Sequence, residues 1–127
     1  MDDNVGVVKG AYDAFQRGDI PSIIGILQED VDWHVPAVLP HRFEARGHDQ
    51  VGLFFERLME VWEELGVEVS DFVASGDHVV VLGRASGRID GRAAGYGFAH
   101  VWVMAGGKAT RFFELVDPDE ELLSHRR

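Results

Sequence analysis

The hydrophobic period of this chain changes once, and that change limits its architecture more than any other feature. Through most of the first 65 residues, apolar side chains return at three- and four-residue steps. From Val67 onward they alternate, or run in short blocks between glycine turns. Val5, Val8, Tyr12 and Phe15 share one face of a first helix. Gly18 suits the left-handed position past its end, Asp19 can cap a second helix, and Pro21 fits a first turn that needs no N–H. Ile23, Ile24 and Leu27 give this short helix its apolar side, and Asp30 marks its end or the turn after it. The third helix carries the broadest stripe: Val51, Phe54, Phe55, Leu58, Val61, Trp62 and Leu65, stopped at Gly66. Before it, Val31 to Val35 alternates as a short strand, and Pro36 and Pro40 open a loop that runs to about Gly47.

The second half reads as strands. Val67 to Ala74 and His78 to Ser86 flank a turn at Ser75-Gly76-Asp77, and Phe98 to Met104 and Thr110 to Val116 flank Ala105-Gly106-Gly107-Lys108. Glycines at 87, 91, 95 and 97, with Gly83 just before, mark 86–97 as a mobile loop or irregular edge. Asp117-Pro118 ends the sheet. The charged segment 118–127 is a tail, either a short final helix or disordered. Helices followed by an antiparallel meander make an α+β chain. Only the three helices of the N-terminal half can cover the sheet, and an apolar pocket is expected where a curved sheet and a helical layer diverge.

At 127 residues the chain is one domain, 1–127, and with 46% hydrophobic residues it can bury a core. It has no cysteine, which removes disulfides, thiolate zinc sites and cysteine nucleophiles. Its formal charge of −10 repels phosphate backbones and anionic lipid, so neither nucleic acid nor membrane is an expected partner. No apolar run approaches the ~18 residues of a membrane span. The acidic Met1-Asp2-Asp3-Asn4 lacks the basic-then-apolar order of a secretion signal, so a cytoplasmic location is expected.

The chemistry-bearing candidates lie on the last strands. Phe98, His100, Trp102 and Met104 share one face, and Ala99, Val101 and Val103 the other. Because both faces are apolar, His100 meets something buried: a core partner or a ligand. Glu114 stands among Phe112, Phe113, Leu115 and Val116, where burial would raise a carboxyl pKa toward neutral and suit proton transfer. The alternative is an exposed Glu114 paired with Arg111 or Arg84. Whether Glu114 meets His100 turns on the hairpin. A two-residue loop at Gly106-Gly107 pairs residues summing to 213 and puts them on opposite faces, whereas a three-residue loop makes the sum 214 and puts them side by side.

Trp33 and Tyr12 are a pocket wall and a buried hydroxyl, or simple packing. His34, His41 and His48 are seven apart, but Pro36, Pro40 and Gly47 break any helix that would align them, and no metal is expected. The glycines match no dinucleotide or phosphate-loop fingerprint, and no cofactor is expected.

The runs Tyr12-Asp13-Ala14-Phe15-Gln16-Arg17-Gly18-Asp19, Glu29-Asp30-Val31-Asp32-Trp33, Gly76-Asp77-His78-Val79-Val80-Val81 and Phe98-Ala99-His100-Val101-Trp102, with Gly107-Lys108, resemble SnoaL-like domains. These belong to the nuclear-transport-factor-2-like superfamily, with ketosteroid isomerases and polyketide cyclases. Over residues 3–117 the resemblance implies a cone-shaped, strongly curved, mostly antiparallel sheet closed by three helices around an apolar cavity. It also implies a homodimer on the sheet's outer face. In the cyclases an acid on the last strand and a histidine on the strand before it do the acid–base work, and those positions fall on Glu114 and His100. The glutamate replaces the usual aspartate. The steroid isomerases' base, acid donor and tyrosine fall on Val35, Ala99 and Ala11, so that machinery is not expected.

The resulting expectation is isomerase, cyclase or dehydratase chemistry on a small hydrophobic oxygenated molecule. Glu114 and His100 would be catalytic, with Tyr12, Phe15, Trp33, Phe55, Trp62, Phe98, Trp102 and Phe112 around the substrate. The alternatives on the same fold are a non-catalytic binder of hydrophobic ligands and a dimeric interaction module whose aromatic side chains fill the cavity.

Overall fold

A computed structural model describes residues 3–124. Asp3 caps α1 (Asn4–Gln16) by accepting a hydrogen bond from the Gly6 N–H at 3.0 Å. The turn after α1 passes through Gly18 at φ 73°, and the Asp19 carboxylate then caps α2 (Ile20–Ile24) through the Ser22 N–H. This second helix is shorter than its apolar spacing suggests. It stops at Gly25, and Leu27 begins the first strand, β1 (Leu27–Val35), paired with Ala109.

A short strand, β2 (Phe43–Arg46), occupies part of the expected 36–47 loop. It sets Ala45 opposite Trp33. The third helix, α3 (Gly47–Val61), buries Val51, Phe54, Phe55 and Leu58 as its stripe requires, but ends at Val61, short of Leu65 and Gly66. Trp62 turns extended there and Leu65 falls on β3 (Glu63–Ser75), because strand pairing with β4 (His78–Ile89) takes over the chain.

The segment 86–97 is neither a loop nor an edge. β4 runs through Ile89 and β5 (Arg92–Ala105) starts at Arg92, joined by Asp90-Gly91 with both residues at positive φ (52° and 77°). Asp-Gly is a strong signal for such a two-residue hairpin turn, and it outweighs the glycine count around it. β6 (Lys108–Pro118) is followed by α4 (Glu120–Ser124), which packs on β5 and buries Leu122. The charged tail is therefore helical as far as Ser124. Its last residues, 125–127, lie outside the described residues.

The six strands form one curved sheet in the order β2-β1-β6-β5-β4-β3, antiparallel except for the β1–β6 pair. Register shifts in β1, β3 and the β5–β6 ladder add local bend. The core lies on the concave face, where α1 packs toward β3 and β4, and α3 toward β1 and β2. Among the described residues, no helix is long and apolar enough to cross a membrane.

Candidate active site

The β5–β6 hairpin decides whether the two best candidates meet, and it combines features of both loop lengths. Gly106 and Gly107 form a two-residue turn, both at positive φ, with Ala105 paired to Lys108. Those pairs sum to 213, as do Met104 and Ala109. One extra residue, Thr110, then bulges from β6, and its hydroxyl donates to the Val103 carbonyl at 3.1 Å. From Val103 and Arg111 onward the pairs sum to 214, and His100 stands directly opposite Glu114.

Glu114 is only 4% exposed, and His100 Nε2 lies 2.8 Å from its Oε2. The pairings with Arg111 or Arg84 do not form. Arg84 pairs with Asp119, and Arg111 lies over the Phe113 ring. On the other side of the imidazole, Nδ1 is 2.6 Å from the Tyr12 hydroxyl, and the Trp102 indole N–H donates to that hydroxyl at 3.0 Å. Burial pushes the Tyr12 hydroxyl far above its usual range, so it keeps its proton. The Trp102 bond opposes the shift and the Glu114 charge adds to it. A protonated Tyr12 donates to a bare Nδ1, which leaves Nε2–H to donate to Glu114. The chain Trp102, Tyr12, His100, Glu114 therefore runs with one polarity.

Ring contacts hold this chain in place. Phe98 stacks on the His100 ring at 3.9 Å and 12°. Phe98 lies over Gly83, where an added Cβ would collide with the Glu68 backbone carbonyl oxygen and fall 2.6 Å from the Phe98 ring. This explains a glycine inside β4.

The cavity in front of Glu114 has a volume of about 80 Å³. That is roughly half of what encloses a benzene ring. Tyr12, Phe15, Trp33, Phe55, Trp102 and Phe112 all line it, as do His100 and Glu114. Phe98 and Trp62 do not: Phe98 backs the imidazole, and Trp62 sits behind a second polar group.

That second group escaped the sequence reading. His41, directly after Pro40 in the segment before β2, is 1% exposed. It accepts from the Trp62 indole N–H at Nδ1 (2.9 Å), and its Nε2 lies 3.4 Å from the Tyr96 hydroxyl. Burial lowers its pKa from 6.5 to about 4, despite the opposing pull of Glu114. Tyr96 and His41 both line the cavity. A lone histidine just after Pro36 and Pro40 carries no periodic signal, and the spacing of seven among the three histidines points only to a metal reading. The fold disperses them: His34 pairs with Glu44 on the surface, and His48 is bonded to the Leu27 carbonyl. Among the described residues, no three His, Asp or Glu side chains gather as a metal would need.

Comparison with known proteins agrees with this architecture. The sequence profile of SnoaL-like domains matches residues 8–112. An NTF2-like protein of unknown function from Burkholderia pseudomallei K96243 is 31% identical, with 92% of each chain covered and a TM-score of 0.85. An NTF2-like protein from Burkholderia thailandensis E264 is 26% identical over 99% of this chain and 97% of that one, with a TM-score of 0.88. The chain is also similar to TerC, solved after co-crystallisation with polyporic acid, at 27% identity over 97% and 95% of the two chains and a TM-score of 0.83. No curated protein matches it in sequence.

Proposed function

Because this chain belongs to the SnoaL-like domain family, within the NTF2-like fold, we propose that it is an acid–base enzyme for a small hydrophobic carbonyl compound, of the isomerase, cyclase or dehydratase type. The observation that carries this reading is the buried Glu114 carboxylate. Burying a carboxylate costs free energy unless it is bonded. Here His100 bonds one oxygen, and Oε1 has no hydrogen-bond partner among the described residues. An unbonded carboxylate oxygen in an apolar cavity is placed to take a proton from carbon. The C–H bond breaks, its electrons move onto the neighbouring carbonyl oxygen, and Glu114 later returns the proton to another atom of the same molecule. His100 orients the carboxylate, and Tyr12 and Trp102 fix the imidazole tautomer. The co-crystal of TerC with polyporic acid supports a small-molecule occupant.

A cavity of about 80 Å³ must open to admit a ring-sized ligand. The half-buried lining residues Phe15, Leu65 and Val67 mark where it opens, between the end of α1 and the start of β3. The test is a set of melting curves of wild type and Glu114→Gln against apolar carbonyl compounds. A ligand at 100 times its Kd adds about 2.7 kcal/mol, several degrees for a domain of this size. A stabilising compound whose shift changes in Glu114→Gln supports the reading. Shifts identical in both proteins for every bound compound favour the non-catalytic binder.

A homodimer on the outer sheet face belongs to the same reading. Val79 and Val81 are fully buried on the concave face, opposite Trp102 and His100, so they are not available to a partner. The outer face instead carries the cross-strand rows Leu82-Ala99-Leu115 and Val73-Val80-Val101-Phe113. Leu115 is 58% exposed and Val73 51%. One apolar face on each copy makes a self-complementary interface. Sedimentation equilibrium is expected to give twice the chain mass for wild type, and one chain mass for Leu115→Glu with an unchanged melting profile at low concentration.

A further inference from the structure

We infer that Tyr96, presented by His41 and Trp62, is the hydroxyl that meets a ligand oxygen in this cavity, with the Trp33 indole N–H as a second donor. The inference rests on the proposed carbonyl chemistry and extends it to the group that receives the developing negative charge.

The argument is one of hydrogen-bond polarity. An indole N–H can only donate. Trp62 Nε1 points at His41 Nδ1, so that nitrogen is the bare acceptor and the neutral ring carries its proton on Nε2. That proton faces the Tyr96 oxygen, which must accept it. The Tyr96 hydroxyl therefore has its own proton left to donate. Among the described residues no other hydrogen bond engages it, although Tyr96 is buried and lines the cavity. Burial raises its pKa well above the ordinary phenol value, and the Glu114 charge adds to this, so it remains a donor.

Tyr12 is in the opposite position. Its proton goes to His100 and its oxygen already accepts from Trp102, so it has no proton for a ligand. A second donor is also left over: among the described residues Trp33 Nε1 is buried without a hydrogen-bond partner, in a side chain that lines the same cavity. A buried donor without an acceptor is costly. A ligand oxygen on Tyr96, and a second on Trp33, would remove that cost. The chemistry selected is a molecule with a carbonyl or phenolic oxygen beside the carbon facing Glu114.

The probe is 4-nitrophenol, whose colour reports its ionisation, with nitrobenzene as the similar shape that keeps the nitro group and lacks the phenolic oxygen. Both are titrated into Glu114→Gln protein, where no carboxylate repels a phenolate. Bound 4-nitrophenol is expected to ionise at a pH where the free dye is mostly protonated. Adding Tyr96→Phe should weaken dye binding roughly 10–100-fold, the range for a hydrogen bond to a charged group, and return the bound dye to its protonated colour. Nitrobenzene binding should hold. Trp33→Phe should weaken the dye by a smaller factor, and it keeps the test available if Tyr96→Phe does not fold. Three results would overturn the inference: no dye binding by folded Glu114→Gln, an unchanged dye colour and affinity in the tyrosine and tryptophan variants, or equal losses for dye and nitrobenzene. None of these measurements needs turnover, so the Glu114 reading and the Tyr96 reading fail separately.

Discussion

Glu114→Gln is expected to lower turnover of an enolisable substrate by about 10²–10⁴-fold, the usual contribution of a positioned general base. That range corresponds to about 2.7–5.5 kcal/mol in the activation barrier. Glutamine keeps the size of the side chain and an acceptor for the His100 Nε2–H, so the bond at 2.8 Å can persist. What it removes is the capacity to take a proton. The fall should therefore appear in kcat with little change in KM, as expected when an interaction specific to the transition state is lost. Steady-state kinetics on the compound that best stabilises wild type checks this. Retention of most of the wild-type kcat by the glutamine variant would remove Glu114 from the chemistry. His100→Asn should fall less, since it disturbs the orientation of the carboxylate without deleting it.

The acid limit of stability should carry the signature of His41. Its pKa in the folded protein is about 4, against 6.5 for the ordinary side chain, because burial disfavours the cation. Between these values the unfolded chain binds a proton that the folded chain does not. Stability from this group is thus complete above about pH 6.5 and is lost as pH falls toward 4. A shift of this size corresponds to about 3 kcal/mol. The cation would also have to place an N–H against the Trp62 N–H, which donates to Nδ1 in the neutral ring. Urea denaturation at pH 7, 5.5 and 4 measures the loss. His41→Gln, which can still accept from Trp62 and donate to Tyr96, should show a loss smaller by about 3 kcal/mol across that interval. Carboxylates elsewhere titrate in both proteins and cancel in the difference. Parallel pH dependence in the two proteins would mean that His41 is charged, or absent from the acid transition.

The parts of the fold legible in the sequence were those with a repeated local signal. The stripe from Val51 to Leu58 and the alternation through Phe98, His100, Trp102 and Met104 each recur enough to fix a face. The failures came where one competing interaction outweighed a local pattern. Trp62 and Leu65 fit the helix stripe, yet Trp62 turns extended at the helix end and Leu65 falls on β3, inside the irregularity between Glu63 and Gly66. Glycines suggested mobility in 86–97, yet the Asp90-Gly91 turn and full pairing from Ser86 to Ile89 hold that stretch in the sheet. Of the eight side chains expected around a substrate, Trp62 and Phe98 are one layer back. Periodicity distinguishes inside from outside, but it does not distinguish a cavity wall from the layer behind it.

The sequence by itself determined the family, the α+β order and the identity of Glu114 and His100 as the pair in question, since each is written in residue type and spacing. Only the tertiary structure decided that the pair meets. The turn has two residues, which alone would put the side chains on opposite faces, and the Thr110 bulge restores the register. A bulge is set by what the neighbouring strand accepts: Ala109 donates its N–H to the Ile26 carbonyl beside β1, while the Thr110 hydroxyl turns back to β5. The His41–Tyr96 arm is likewise a product of tertiary structure. Its three side chains come from a loop, a helix end and a strand, 21 and 55 positions apart. No periodicity reaches across such distances, because what joins these residues is the shared need of buried polar groups for partners.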